Sequence, residues 1–280
     1  MEIAGYRYTF GPITGPRTLD HGKVIRWYRD LGIKMIELYD PWITSDDEVH
    51  MIIDALGDAD MIAFMCDVEC HVVSRNSDVR KAGTEKFHQR LAVANGLGAK
   101  QVLILPDFPA WDSDFRVEEC QEWLNTAIEQ SLPVAQELDI MPLVANLGFR
   151  GDIYGKADFV VEICKTFEPY VKTVYDVGNF VMAGEDPIDA LEKVFPYTAH
   201  VHFKDWHILA AEQPGASWLG FDQQWFQAVS LGKGFVALPE TVARLKQLNY
   251  DGYISPEYEG PEDPFETMGE SIAYVQELLA

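Results

Sequence analysis

Residues 140–176 read IMPLVANLGFRGDIYGKADFVVEICKTFEPYVKTVYD. The segments 140–146 and 173–176 are short apolar runs, and each predicts a buried strand. Between them, residues 156–167 carry apolar side chains at helical spacing, which predicts an amphipathic helix. A strand followed by a helix and a second strand indicates a right-handed parallel crossover.

The same alternation continues along the chain, from its first residues to its last. Strands are predicted at residues 3–10, 34–39, 61–67, 101–105, 140–146, 173–176, 199–204 and 252–259. Helices are predicted at residues 20–31, 46–56, 78–97, 117–138, 156–167, 187–194, 239–248 and 265–279. Eight strand-then-helix units in a chain of this length predict a (β/α)8 barrel, an α/β fold that we expect to form a single domain over residues 1–280.

One connection is much longer than the others. Residues 206–238 follow the predicted seventh strand, and their aromatic side chains include Trp206, Trp218, Phe221, Trp225 and Phe226. This connection lies at the carboxyl end of the strands, where barrels place their sites. We therefore expect an irregular loop that covers the site as a substrate lid.

The composition restricts the partners of the chain. Its 280 residues include 22 Lys and Arg against 45 Asp and Glu, which gives a formal net charge of −23. A surface this acidic repels phosphate backbones and anionic lipid headgroups, so we expect neither nucleic acid nor a membrane as a partner. Four cysteines are too few for a disulfide scaffold, and no signal-peptide pattern opens the chain, so we expect a cytoplasmic protein.

The predicted seventh strand carries the most informative side chains. Alternation along a strand places His200, His202 and Lys204 on one face and Val201 and Phe203 on the other. Because the apolar face packs against helices, the two imidazoles and the ammonium group point into the barrel. Groups of this kind are expensive to bury without carboxylate or metal partners.

Two carboxylates end the neighbouring strands. Asp176 ends the predicted sixth strand and Glu257 lies near the end of the eighth, so both reach the same rim as His202. Two carboxylates and one imidazole form a donor set suited to Mn, Mg, Co or Zn. A network of ion pairs, in which Asp176 and Glu257 neutralise Lys204, accounts for the same residues equally well from their spacing alone.

Five segments of the chain resemble the xylose-isomerase-like TIM-barrel superfamily, which contains sugar phosphate isomerases and epimerases and also endonuclease IV. The segments are residues 143–148 (LVANLG), 175–179 (YDVGN), 200–205 (HVHFKD), 231–234 (LGKG) and 252–259 (GYISPEYE). The Asp-x-Gly-Asn and His-x-Lys-Asp patterns, in this order, are the specific part of the resemblance. It covers nearly the whole chain and implies the same barrel fold.

The resemblance also implies one divalent metal ion, with manganese expected first and Mg, Co or Zn as alternatives. In the family, four strand-end residues hold this ion, and three of them carry over as Asp176, His202 and Glu257. The fourth does not, because Ala145 stands where the family has a metal-binding Glu on the fifth strand. Natural divergence and a deliberate Glu→Ala substitution that silences the enzyme are both open interpretations of Ala145.

Further site residues are expected on the same rim. In the family, the two metal-bound glutamates serve as opposed acid and base, so Glu257 is expected to be catalytic and Ala145 marks the missing partner. Lys204 is expected to stabilise an oxyanion or to move a proton. Glu37 is expected to pair with a core Arg or Lys. The residues expected to bind substrate are Trp42, Glu69, His71, Asn146, Arg150, Asn179 and Trp206.

These features imply a metal-dependent sugar isomerase or epimerase that moves a proton next to the carbonyl of a keto sugar or polyol-derived ketone. A lyase of the inosose dehydratase, dehydroshikimate dehydratase or 3-oxo-glycoside type is the nearest alternative, because its first step is the same. Ala145 also fits an inactive barrel that binds a sugar or a partner subunit. The acidic surface disfavours an endonuclease IV-like nuclease and favours a neutral sugar over a sugar phosphate. Barrels of this kind often form homo-oligomers.

Overall fold

Parallel strands form a barrel in the computed structural model of this chain, which describes residues 1–11, 20–106, 115–148, 154–214 and 217–280. The strands, in chain order, are β1 (Glu2–Ile3), β2 (Gly5–Tyr6), β3 (Met35–Tyr39), β4 (Ile62–Cys70), β5 (Gln101–Pro106), β6 (Met141–Ala145), β7 (Lys172–Asp176), β8 (Thr198–Phe203), β9 (Asp205–Leu209), β10 (Trp218–Leu219), β11 (Trp225–Val229) and β12 (Tyr253–Pro256). One sheet has the order β1-β12-β8-β7-β6-β5-β4-β3-β2, and a smaller sheet has the order β10-β11-β9.

The large sheet closes at the first predicted strand, which is split into two short pieces. The piece β1 pairs with β12 at one end of the sheet, and β2 pairs with β3 at the other end. Counting the two pieces as one strand leaves eight strands, each parallel to its neighbours. The predicted (β/α)8 barrel is therefore confirmed.

Helices surround the barrel and alternate with its strands. They are α1 (His21–Asp30), α2 (Asp46–Ala59), α3 (Ser77–Gly96), α4 (Val117–Glu137), α5 (Ala157–Thr166), α6 (Val177–Met182), α7 (Pro187–Val194), α8 (Leu238–Gln247) and α9 (Pro264–Leu279). Several helices begin at a polar side chain that accepts a hydrogen bond from the first turn, as Asp20, Ser45 and Asp263 do. Within the described residues, no helix combines the length and the apolar composition that crossing a membrane requires.

The short helix α6 is an element that the apolar pattern does not predict. It begins directly after Asp176, whose Oδ1 accepts a hydrogen bond from the backbone N–H of Asn179 at 2.9 Å. Asp176 is therefore both the last residue of β7 and the N-cap of α6. Because Oδ1 is held by the helix, the orientation of the carboxylate at the strand end is fixed.

The long connection after the seventh barrel strand is more regular than predicted. Within it, β11 pairs antiparallel with both β10 and β9, so the prediction of an irregular loop is wrong. The ladder satisfies backbone groups that a loop of this length would otherwise leave to solvent. That the segment closes over the site as a lid stays a prediction.

Asp205 anchors the far end of this connection. Its carboxylate accepts hydrogen bonds from the backbone N–H groups of Gly232, Gly234 and Val236 at 2.9, 2.9 and 3.0 Å. A side chain at position 234 would place a Cβ atom 2.1 Å from Asp205 Oδ1, so only glycine fits there. The Leu-Gly-Lys-Gly segment thus wraps around a buried carboxylate.

We expect Asp205→Ala to lower the free energy of unfolding by about 3 kcal/mol, because it leaves several backbone donors without their charged acceptor. Urea denaturation measures the loss, and amide hydrogen exchange should accelerate at Gly232, Gly234 and Val236. The matched control is Glu212→Ala, which removes an exposed carboxylate from the same connection. Unchanged exchange at the three amides in Asp205→Ala would contradict the anchoring role.

Candidate active site

A cavity opens at the carboxyl ends of the barrel strands, and its volume is about 160 Å³. That volume lies below the roughly 300–1,000 Å³ of pockets for drug-sized ligands, so it favours a small, compact molecule. Its walls combine tyrosines, aliphatic side chains and a group of carboxylates around one lysine. The described residues that line it are Tyr6, Tyr8, Tyr39, Glu69, Leu103, Leu105, Pro106, Ala145, Leu147, Asp176, Asn179, His202, Lys204, Glu257 and Glu259.

Three of these lining residues form a cluster of potential metal ligands. One ligand atom each from Asp176, His202 and Glu257 can be chosen so that all three lie within 4.8 Å of one another. The strands bring them together: Asp176 and His202 are register partners on β7 and β8, and Glu257 follows β12 with its backbone N–H bonded to Phe203. All three side chains are buried.

The ammonium group of Lys204 lies in the middle of the buried carboxylates. Its Nζ is 2.9 Å from Glu257, 3.2 Å from Glu259 and 3.6 Å from Asp176. It also lies 3.4 Å from the side-chain oxygen of Asn179. The ion-pair network and the potential ligand cluster that the sequence leaves as alternatives are therefore both present, and they share Asp176 and Glu257.

Burial and neighbouring charges have opposite effects on the pKa values of Lys204 and the carboxylates around it. Burial opposes ionisation of Glu257, but attraction to Lys204 and the hydrogen bond to His202 lower its pKa below the ordinary value. Burial also disfavours the charged form of Lys204, but Glu257 and Glu259 outweigh it and raise the pKa of the amine. Burial raises the pKa of Asp176, and Lys204 offsets only part of this rise. Near neutral pH, Glu257 is thus a carboxylate and Lys204 an ammonium group.

Glu37 lies beneath this cluster and pairs with histidines, so the expectation of an Arg or Lys partner is wrong. His202 Nε2 is 2.9 Å from Glu37 Oε2 and 3.0 Å from Oε1, and His200 Nε2 is 3.3 Å from Oε2. Burial opposes ionisation of Glu37, but the attraction of His202 and the hydrogen bonds from both imidazoles lower its pKa. The inward direction of His200 and His202 agrees with strand alternation.

The chemistry of the donor set fits a divalent ion. Two carboxylates and one imidazole are ligands that Mn, Zn and related ions accept, and their separation allows all three to reach one ion. Position 145 contributes no donor, because Ala145 ends β6 and presents only a methyl group to the cavity. Asp176, His202 and Glu257 are therefore the residues that would hold a metal here.

Two of the predicted substrate-binding residues line the cavity. Asn179 lies beside Lys204, and Glu69 lies at the exposed edge, where it accepts a hydrogen bond from the hydroxyl of Tyr39. Asn146 instead braces the site from behind, since its side chain exchanges hydrogen bonds with the backbone of Asp176 at 2.9 and 3.2 Å.

Other predicted substrate-binding residues lie away from the cavity wall. Trp42 stacks behind Tyr8, with ring centroids 5.9 Å apart, because the short helical turn after β3 folds it back. Trp206 is fully buried and donates its indole N–H to Gly178 at 2.9 Å. His71 is exposed beyond β4 and is not among the cavity-lining residues. Arg150 lies outside the described residues.

Several residues of the cavity wall are not among the predicted site residues. Tyr6, Tyr8 and Tyr39 form an aromatic wall, with rings of Tyr8 and Tyr39 4.8 Å apart. Glu259 completes the carboxylates around Lys204. The signals were present, since Tyr6 and Tyr8 alternate along the first strand and Glu259 is two residues from Glu257.

A family model described as a xylose isomerase-like TIM barrel matches residues 25–278. The chain belongs to this family. The match spans nearly every element of the barrel, and the resemblance found in the five sequence segments is confirmed.

The named proteins that are similar to this chain include a dehydratase and an epimerase. Inosose dehydratase of Bacillus anthracis is 29% identical to the chain over 212 residues, which cover 69% of this chain and 70% of that protein. A crystal structure of D-psicose 3-epimerase in the presence of D-fructose has a TM-score of 0.77 at 17% identity and covers 99% of this chain and 97% of that one. The IOLI protein with a bound zinc atom has a TM-score of 0.79 at 15% identity, with 100% and 98% covered. At such identities the two structures show a shared fold.

We expect Lys204→Met to lower the free energy of unfolding of the metal-free protein by about 3 kcal/mol or more at pH 7, because three carboxylates lose their buried counter-charge. Lys204 lowers the pKa of Glu257, so the ion pair stabilises the folded state. This contribution is fully present above the ordinary pKa of a glutamate and is lost as the pH falls below it. The deficit should therefore shrink as the pH is lowered toward about 4, where carboxyl groups take up protons.

Urea denaturation in the presence of a chelator measures both values. The matched control is Lys233→Met, which removes the partner of Glu270 from the surface and should change stability little. An equal deficit of Lys204→Met at both pH values would mean that packing of the side chain, and not its charge, stabilises the cluster.

Proposed function

We propose that the chain is a divalent-metal-dependent sugar isomerase or epimerase that moves a proton next to a carbonyl group. The observation that carries the proposal is the cluster of Asp176, His202 and Glu257, whose ligand atoms lie within 4.8 Å of one another at the wall of a cavity. A carboxylate base and a divalent ion side by side are what abstraction of a proton next to a carbonyl requires.

The substrate that we propose is an uncharged keto sugar or polyol-derived ketone. Among the described residues that line the cavity, Lys204 is the sole lysine or arginine, and three carboxylates already surround it. The net charge of −23 adds a field that opposes anions. Tyr6, Tyr8 and Tyr39 offer aromatic faces on which a sugar ring can stack.

The described side chains supply specific parts of the chemistry. A bound divalent ion would polarise the carbonyl oxygen of the substrate. Glu257 takes the proton from the neighbouring carbon, since Lys204 keeps it ionised near neutral pH, and in an isomerisation it returns the same proton to the carbon that carried the carbonyl oxygen. Lys204 Nζ, 2.9 Å from Glu257, donates a hydrogen bond to the oxygen on which negative charge develops. Asn179 and Glu69 orient hydroxyl groups of the substrate.

Manganese is the ion that we propose first, with Mg, Co and Zn as alternatives. The mixed set of two carboxylates and one imidazole supports Mn, because carboxylate-rich sites suit harder ions. The zinc atom of the IOLI protein, which shares the fold, supports the zinc alternative. A cytoplasmic location and a homo-oligomeric state also stay predictions.

A dehydratase acting on a cyclic polyol ketone is the second candidate. Two observations favour it: the 29% identity to inosose dehydratase, and the methyl group of Ala145 at the position of the family's second base. Epimerisation needs a group on the opposite face to return the proton, whereas elimination of water needs only one base and an acid for the departing hydroxyl. An inactive barrel that binds a sugar or a partner is the third candidate, and it rests on Ala145 alone.

We expect the Mn²⁺-loaded protein to exchange the hydrogen next to the carbonyl of an uncharged ketohexose or an inosose with solvent deuterium. Proton NMR in deuterium oxide follows the exchange and distinguishes an epimer from an eliminated product. Glu257→Gln should lower the exchange rate by at least about 100-fold, because it removes the base. Glu266→Gln, which changes an exposed carboxylate on α9, is the control. Faster turnover of a phosphorylated ketohexose than of the uncharged sugars would contradict the proposed substrate class.

We expect Ala145→Glu to tighten Mn²⁺ binding. Outer partners of a metal site are worth about 10–100-fold in affinity, so a restored direct ligand should be worth at least the lower value. Isothermal titration calorimetry measures the affinity, and Ala145→Gln controls for side-chain volume without charge. Sugar turnover that occurs only in Ala145→Glu would favour the inactive barrel, whereas turnover by the unaltered chain would exclude it.

A further inference from the structure

The side chain of Glu37 connects opposite strands in the interior of the barrel, below the cavity. Glu37 lies on β3, and its side chain reaches His202 on β8 and Ser255 on β12, which are 165 and 218 residues away in the chain. It is fully buried. Glu37 does not line the cavity, whereas His202 does, so the carboxylate contacts the imidazole from the side away from the cavity.

The two nitrogens of His202 face different carboxylates. Nε2 lies 2.9 and 3.0 Å from the oxygens of Glu37, and Nδ1 lies 3.3 Å from Glu257 Oε2. A carboxylate accepts hydrogen bonds, so Nε2 must carry a proton to satisfy Glu37. By the same reasoning Nδ1 donates to Glu257 when no ion is present. A divalent ion bound at Nδ1 would replace that proton, and the neutral imidazole would then keep its remaining proton on Nε2.

Glu37 is itself held in place by neutral donors. Ser255 donates its hydroxyl to Glu37 Oε2 at 3.1 Å, and His200 Nε2 lies 3.3 Å from the same oxygen. The ring of Tyr6 packs against His202 with centroids 4.9 Å apart, and its hydroxyl donates to Asp67. The imidazole of His202 is thus restrained at its edge and at its face, and a rotation of the ring would break these contacts.

We propose that Glu37 is a positioning residue that holds the Nε2–H of His202, so that Nδ1, which faces Asp176 and Glu257, is the nitrogen that gives up its proton to a bound ion. This inference rests on the proposed function, since it supposes that His202 is a metal ligand. Glu37 acts through His202 and touches neither the substrate nor the ion.

A second potential metal site would use the other nitrogen of His202, Nε2. Glu37, His200 and His202 also have ligand atoms within 4.8 Å of one another and could hold an ion on the Nε2 side. Glu37, His200 and Ser255 are fully buried and absent from the cavity wall. An ion that enters from the cavity reaches Nδ1 first, which is why the structure favours Glu37 as a hydrogen-bond acceptor.

Long-range proton–nitrogen NMR of the Zn²⁺-loaded protein tests which ring nitrogen of His202 is protonated and which one binds the ion. Zinc is diamagnetic, and the chain has seven histidines, so a His202→Asn variant assigns the signal. We expect a protonated Nε2 and an unprotonated, zinc-bound Nδ1 in the unaltered chain. The reverse pattern would overturn the inference while leaving the metal site intact, and this result needs no substitution at Glu37.

The variant Glu37→Gln tests whether the carboxylate decides which nitrogen is protonated. Its amide can also donate to Nε2, so we expect a second His202 tautomer and zinc affinity about 10–100-fold weaker by competition calorimetry. The matched control is Asp40→Asn, which changes a buried carboxylate three residues away whose partner is Arg90. Asp40→Asn should keep both the tautomer and the zinc affinity even where it lowers the melting temperature.

The possible results separate the two proposals. Zinc affinity and tautomer unchanged in a folded Glu37→Gln protein would overturn the positioning role and leave the proposed function in place. Failure of the unaltered chain to bind Zn²⁺, Mn²⁺ or Co²⁺ would overturn both. Loss of affinity in Glu37→Gln, with rescue by Glu37→Asp to an intermediate value and no loss in Asp40→Asn, would support the inference.

Discussion

The ammonium group of Lys204 lies within 4 Å of the carboxylates of Asp176, Glu257 and Glu259, and all four side chains are buried. Carboxylates in such a position repel one another far more strongly than they would in water, because the surrounding protein screens charge poorly. The fixed positive charge of Lys204 offsets this repulsion, and it also keeps Glu257 ionised. A divalent ion at Asp176, His202 and Glu257 would supply the remaining positive charge, so the ion pairs and the metal ligands form one electrostatic unit.

The barrel creates this unit by bringing distant parts of the chain to one rim. Asp176, His202 and Glu257 lie at the carboxyl ends of three adjacent parallel strands, which all point the same way. The layer beneath is equally non-local, since Glu37 on β3 contacts β8 and β12 across the interior. A polar layer at this depth is stable because each group has a partner of suitable charge. The same layer restrains the imidazole that the proposed ion would use.

The methyl group of Ala145 separates this chain from the pattern that its family implies. It removes a potential ligand and a potential base at once, and the remaining donors belong to neighbouring strands on one side of the barrel. This asymmetry suits a reaction with one carboxylate base, such as isomerisation or elimination of water, better than a transfer between two opposed bases. A dehydratase is 29% identical to the chain and an epimerase shares its fold, so these comparisons by themselves do not select the reaction.

Local patterns in the sequence were sufficient for the fold and for the inward direction of the side chains on the seventh predicted strand. Strand and helix periodicity indicates eight units, and strand alternation points His200, His202 and Lys204 inward, because both depend on residues close in the chain. The tertiary structure decided three other features. They are the pairing of Glu37 with two histidines, the positions of Trp42 and Trp206 behind the cavity wall, and the strands in residues 206–238. Each depends on which side chains meet across the barrel, and contacts between residues as far apart as Glu37 and Ser255 leave no periodic signal in the chain.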